Sequence, residues 1–112
     1  MNEDSIKSFE TQMRKGLLSY CILSLARKNQ IYTSKIIEEL KMANMIVTEG
    51  TLYPLLNRLS KNGYLTHTWE EAEGGPPKKY YSISKDGETY FKNLNLAWNS
   101  ISKSIDKIIK EK

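Results

Sequence analysis

The chain has 112 residues, 39% hydrophobic and 27% charged, with a formal net charge of +4 and a pI near 9.1; this describes one domain able to bury its own core without staples. One cysteine, Cys21, excludes an internal disulfide and leaves too few thiols for a zinc cluster, and the single histidine, His67, weakens any metal or triad reading. The basic balance is compatible with a nucleic-acid partner but too mild to establish one.

No apolar run approaches the length needed to span a bilayer, and Met1 to Lys15 is polar rather than a signal peptide, so a cytoplasmic protein with no membrane partner is expected. Leu17, Leu18, Cys21, Ile22 and Leu25 recur at helical spacing and predict a first helix over about Ser5–Lys28. Ile6, Phe9, Met13 and Tyr20 mark a second stripe on it, one that a small domain does not need internally. Asn29 to Tyr32 breaks the pattern. Thr33 or Ser34 is then expected to cap a short helix reaching about Ala43, with Ile36, Ile37 and Leu40 on one side. After a turn over Ala43–Val47, Thr48 caps a third helix, about Glu49–Asn62, and Gly63 supplies the left-handed position that ends it. Pro54 removes one backbone hydrogen bond inside this helix, which predicts a bend or a tight first turn.

Residues Tyr64–Glu70 alternate, with Leu65, Trp69 and a partly buried His67 expected on one side; Lys79, Tyr81 and Ile83 alternate likewise. The intervening EAEGGPP, Glu71–Pro77, reads as a loop, so the two strands make a wing. Ser84 caps a final helix, about Lys85–Lys110, whose apolar residues Phe91, Leu94, Trp98, Ile101, Ile105 and Ile108 are spaced 3, 4, 3, 4 and 3 apart. Such a seam packs along another helix. The parts follow the order of a winged helix-turn-helix, a mainly α fold with a small β-hairpin. Residues 1–84 are assigned to the DNA-binding domain, its first helix shared with a dimer interface, and residues 85–112 to a C-terminal dimerisation helix.

The third helix carries the functional argument. Turning about 100° per residue from Leu52 places Leu55, Leu56 and Leu59 in one apolar seam. The opposite side holds Gly50, Pro54, Asn57 and Lys61, flanked by Thr51, Tyr53 and Arg58. A major groove asks for such a set: Asn for adenine, Arg for guanine, Thr for a base or a methyl, Lys for phosphate. Gly50 lets the backbone approach closely, and the helix N-terminus at Thr48 favours a phosphate. Any one of these residues is more often plain solvent-facing surface; the whole face, followed by a hairpin, points to DNA. Lys78 and Lys79 are placed where the hairpin meets phosphate, with Gly74 and Gly75 keeping its tip slim, though lysines there also protect an exposed edge.

The motifs GTLYPLLNRLSKNGYL and GGPPKKYYSISKDG resemble the PadR family of bacterial transcriptional regulators, and the likeness runs through nearly the entire chain. A single helix after the wing is similar to the small PadR subgroup. The resemblance implies a dimeric winged-helix repressor, with Thr51, Tyr53, Asn57 and Arg58 in the major groove and Lys78 and Lys79 at the wing. Ser34, Lys35, Thr48, Gly50, Lys61 and Gly75 complete the expected contacts with double-stranded DNA. Two copies one DNA turn apart, roughly 34 Å, are needed for useful specificity. Ile6, Phe9 and Met13 with Phe91, Leu94, Trp98, Ile101, Ile105 and Ile108 are expected to pair the homodimer, the first three helices supplying a core without that seam.

Small members of the resembled family include ones that bind flat aromatic compounds between subunits, with a tryptophan at the matching place. Trp98 is accordingly expected to line a site for a planar, drug-like effector, walled by Leu94, Ala97, Ile101, Phe9 and Met13, against the plainer reading of a dimer-core tryptophan. Cys21 is expected as a buried thiol. A competing function is a winged-helix module that binds protein and never DNA, supported by Glu70, Glu71 and Glu73 in the wing. An enzyme has little behind it, because no glycine-rich phosphate loop, metal spacing or nucleophile–base pair occurs, and no cofactor is expected.

Overall fold

The computed structural model describes residues 3–110. They form α1 (Glu3–Lys28), β1 (Ile31–Tyr32), α2 (Thr33–Met42), α3 (Glu49–Lys61), β2 (Leu65–Ala72), β3 (Gly75–Ile83) and α4 (Lys85–Lys110). The core is built where one apolar stripe from each element meets the others. Leu18, Ile22, Leu23 and Ala26 of α1 pack with Ile36 and Leu40 of α2, Leu52, Leu56 and Leu59 of α3, and Ile31, Leu65 and Tyr81 of the sheet. Leu17, Cys21 and Leu25 of the expected α1 stripe sit at its half-buried flank. Burial pushes the Cys21 thiol above its ordinary pKa, so it is a protonated packing residue at neutral pH.

Both helix ends in the helix-turn-helix close in the same way. Gly63 (φ +81) follows α3, and the Tyr64 and Gly63 N–H groups donate to the Leu59 and Ser60 carbonyls at 2.9 and 3.0 Å. Asn44 (φ 61) does this for α2, with Met45 and Asn44 donating to Leu40 and Lys41 at 2.7 and 3.0 Å. These paired bonds satisfy the orphan carbonyls and reverse the chain within two residues. At the start of α3 the Thr48 carbonyl accepts from both Thr51 and Leu52, the expected tight first turn, and the helix runs unbroken through Pro54. Two caps differ from expectation. Tyr32, not Thr33 or Ser34, is the residue before α2, and Thr48 makes no capping hydrogen bond to the backbone, its hydroxyl donating to Thr51 Oγ1 at 3.2 Å.

The sheet has three antiparallel strands in the order β1-β3-β2, one more than the expected hairpin. Ile31 and Tyr32, read as a break, pair with Tyr81 and Tyr80. The wing is also longer than expected. Most of Glu71–Pro77 belongs to strands, leaving Glu73 and Gly74 as the tip. Pro76 and Pro77 fit inside β3 because the register shifts between Glu70 and Ala72, and β1 does not extend alongside them to demand an N–H. His67 is exposed rather than partly buried, because β2 is an edge strand of the sheet and at that register the core is filled by its partner Tyr81 of β3.

Ser84 caps α4 as expected, its Oγ accepting the Gly87 N–H at 2.9 Å and donating to the Gly63 carbonyl at 2.5 Å. The first turns of α4 are thereby fastened to the end of α3, and the Tyr64 and Tyr90 rings stack at 4.1 Å. Here the expectation of a seam free of internal partners is corrected. Phe91 and Leu94 pack against the subunit's own core, with Phe91 stacked on Tyr20 at 5.5 Å and beneath the Arg27 guanidinium at 4.8 Å. Tyr20, assigned to the outward stripe, instead joins the two long helices, its hydroxyl donating to Asn95. Beyond Leu94, the side chains of Trp98, Ile101, Ile105 and Ile108 are exposed, as are Ile6, Phe9 and Met13.

Candidate nucleic-acid interface

The seam of α3 is set into the core, with Leu52, Leu56 and Leu59 buried and Leu55 half-buried. Helical geometry then forces Gly50, Tyr53, Pro54, Asn57, Arg58 and Lys61 outward, and all six are exposed. Thr51 is half-buried and turns toward α1, where it lines a cleft with Thr11, Arg14, Lys15 and Thr48. The outward face thus carries one amide, one guanidinium, one phenol and one ammonium from Asn57, Arg58, Tyr53 and Lys61, all free of apolar cover.

Four elements converge beside that face. Tyr32 of β1, Thr33 and Ser34 at the start of α2, Glu49 and Tyr53 on α3, and Lys78 and Lys79 on β3 line one open groove of about 180 Å³. Its lysines are held by aromatic rings. Lys78 Nζ lies 4.1 Å from the Tyr32 ring centroid, and Tyr32 meets Tyr80 edge-on at 5.2 Å. Lys79 Nζ lies 5.3 Å from the Tyr81 ring and 5.9 Å from that of Trp69. An ammonium resting on a ring face keeps its charge while losing some of its freedom, so less order remains to be imposed when it meets a phosphate.

Lys35 does not join this groove. It faces the other side of α2 among Leu25, Lys28, Gln30 and Glu39, paired with Glu38 and Glu39 at 3.5 Å each. Glu38 first, then Glu39, raises its pKa, which only reinforces a charge it carries already at neutral pH. Gly75 opens β3 opposite Ala72, beside the tip. The acids of the wing separate into two kinds: Glu70 accepts from Gln30 Nε2 at 3.0 Å and stands across from Lys78, whereas Glu71 and Glu73 are exposed near the tip. Tyr32 and Thr33 are groove residues that the sequence reading left out; nothing local in IYTSK announces that a lysine from β3 will settle on the tyrosine.

A second concavity lies between α1 and α4. Gly16, Leu17, Ser19 and Tyr20 face Tyr90, Leu94, Ala97, Trp98 and Ile101 across about 260 Å³. Four of the expected walls are therefore brought together: Leu94, Ala97, Trp98 and Ile101. Phe9 and Met13 are not among them. They lie one to two turns before Gly16 on α1, with Phe9 about 10 Å away along the axis at 1.5 Å per residue. No helix among the described residues is long and apolar enough to cross a membrane.

The family model described as the transcriptional regulator PadR-like family matches residues 22–93, well over half of the chain. The chain belongs to the PadR-like family of transcriptional regulators. Solved relatives agree. A PadR-like transcription factor from Bacteroides fragilis is 44% identical, over 90% of this chain and 98% of that one, with a TM-score of 0.76. A PadR family regulator from Eggerthella lenta is 25% identical over 98% and 96% of the two chains, with a TM-score of 0.91. A PadR-like regulator from Bacillus cereus is 28% identical over 90% and 99%, with a TM-score of 0.78. The PadR-like match takes in α2, α3, the whole wing and the start of α4, hence every groove residue; Trp98 and the exposed isoleucines of α4 lie beyond it.

Proposed function

We propose that the protein is a dimeric, sequence-specific repressor that reads operator DNA with α3 and is released by a planar aromatic ligand held near Trp98. The observation that carries the DNA-binding part is the convergence of Ser34, Tyr53, Lys78 and Lys79 on one groove beside the exposed Asn57 and Arg58. Asn57 and Arg58 supply base-reading groups, while Lys61, Lys78, Lys79 and the N-terminus of α3 meet phosphates. Gly50 leaves room for the backbone to approach, since a Cβ there meets only Thr48 Oγ1 at 4.0 Å.

Anisotropy titrations with the duplex upstream of its own coding sequence test this. Log affinity falls with log salt concentration by about 0.9 for each phosphate neutralised. Binding that ignores salt, or none at all, removes the reading and favours a protein-binding module. Asn57→Ala or Arg58→Ala costs about 1–3 kcal/mol on the operator and relaxes one base position, while affinity for mixed-sequence DNA changes little.

For the dimer we take the exposed halves of α1 and α4 as the pairing surfaces, Ile6, Phe9 and Met13 with Trp98, Ile101, Ile105 and Ile108, and with Phe91 and Leu94 at their inner edge. Each subunit then contributes one 260 Å³ half-site to the interface. Two facing copies reach the size of a small-molecule pocket, and the Trp98 and Tyr20 rings offer flat apolar walls. Release follows if the ligand binds more tightly to a dimer whose α3 helices no longer match the groove spacing. Trp98→Ala is expected to abolish both ligand-induced fluorescence quenching and release from DNA while the unliganded protein still binds. Induction that survives this substitution rejects the site.

A further inference from the structure

Trp69 is a large ring with no core to enter. It is 63% exposed, on the same sheet face as the buried Leu65 and Tyr81, at the register where β2 and β3 have run beyond the domain. Its cross-strand partner is Lys79, whose ammonium sits between the Trp69 and Tyr81 rings and whose residue lines the groove shared with Tyr53 of α3. The opposite face of the wing is occupied differently, with Glu70 bonded to Gln30 and Lys78 resting on Tyr32.

We propose, resting on the DNA-binding reading above, that Trp69 is a DNA-contacting residue that packs on the sugar edge of the strand running between α3 and the wing. Lys79 then carries the adjoining phosphate. The wing engages the duplex through this stem, and its tip, where Glu71 and Glu73 repel phosphates, stays off it. Charge and continuity select the partner. The apolar ring is flanked by the Lys79 ammonium, which has no acidic partner among the described residues, and adjoins the face that presents Asn57 and Arg58, and an aromatic ring packs on nucleic acid without regard to sequence. A contact of this kind strengthens binding to every duplex alike, unlike the base-reading positions of α3.

The test uses the full chain labelled with 5-fluorotryptophan, which gives one ¹⁹F resonance for Trp69 and one for Trp98, assigned by loss of the first in Trp69→Phe. Saturation with the duplex upstream of the coding sequence is expected to move the Trp69 resonance. Trp69→Ala is expected to weaken operator and mixed-sequence DNA equally, by roughly tenfold, with the salt slope unchanged because no charge is removed. Trp69→Phe restores most of the loss. A Trp69 resonance that stays fixed at saturation, or undiminished affinity in Trp69→Ala, overturns this proposal and leaves DNA binding intact. Failure of the unsubstituted protein to bind any duplex overturns both.

Discussion

Gly87→Ala is expected to destabilise the full chain by about 3 kcal/mol, near the upper end of what overpacking costs. The position is buried in the first turn of α4, against the turn that ends α3. A methyl group there would stand 2.7 Å from Ile83 Cγ1 and 3.0 Å from the Tyr64 carbonyl carbon, and nearer still to the Tyr64 oxygen. That oxygen is backbone and accepts the Ser84 N–H at 3.0 Å, so it has nowhere to go. Relief requires lifting α4. Lifting breaks the bond from Ser84 Oγ to the Gly63 carbonyl, worth about 1 kcal/mol, and parts the Tyr64–Tyr90 stack. Alanine's better helix propensity returns only about 1 kcal/mol. Gly50→Ala makes the opposite case, because its methyl meets only Thr48 Oγ1 at 4.0 Å. It is expected to raise stability by about 0.5–1 kcal/mol while weakening DNA binding, where the added methyl obstructs approach. Urea midpoints at one fixed protein concentration measure both signs. An unchanged midpoint for Gly87→Ala would mean that α4 is not fastened to Tyr64.

The contrast between those two glycines shows which parts of this fold a sequence displays. Gly63 was legible because chain reversal after a helix needs a left-handed residue at that one position, and the periodicity of Leu52, Leu56 and Leu59 located the helix end beforehand. Ser84 and the outward face of α3 were legible for the same reason: cap chemistry and helical period are local. Gly87 was silent, since the atom it accommodates belongs to Tyr64, in the turn between α3 and β2. β1 was silent too. Two residues make no pattern of their own, and Ile31–Tyr32 is a strand only because β3 supplies its ladder. Pro76 and Pro77 argued for a loop on sound grounds, and the register shift opposite them is what lets β3 keep them. In the candidate interface, Asn57 and Arg58 followed from α3 alone. The Lys78–Tyr32 and Lys79–Trp69 contacts follow from strand pairing and could not be read before the register was known. Tyr20 was misassigned because a helical wheel reports a direction, not which neighbour will stand there; α4 crosses at that height and takes it.

The double substitution Ile101→Glu, Ile105→Glu is expected to separate the proposed dimer and to lower operator affinity by on the order of 10²–10⁴-fold. Ile101 and Ile105 are 56% and 47% exposed in the subunit, lying beyond the Phe91–Leu94 section that the core retains. Replacing them therefore removes little from the fold of one chain. In a twofold dimer each new carboxylate is introduced twice on self-complementary surfaces, which adds like-charge repulsion to the loss of buried apolar area. Two linked α3 helices make the second half-site an intramolecular encounter; a lone subunit forfeits that advantage and keeps only its own few contacts. Sedimentation equilibrium at micromolar concentration reads the assembly, anisotropy reads the DNA, and the thermal transition of the winged-helix unit reads the fold. The expected pattern is a single subunit with an intact fold and weak, salt-sensitive, sequence-indifferent binding. A dimer that persists places the pairing surface elsewhere. A lone subunit that binds the operator undiminished shows that one recognition helix and its wing suffice, and that α4 serves some purpose other than joining two reading heads.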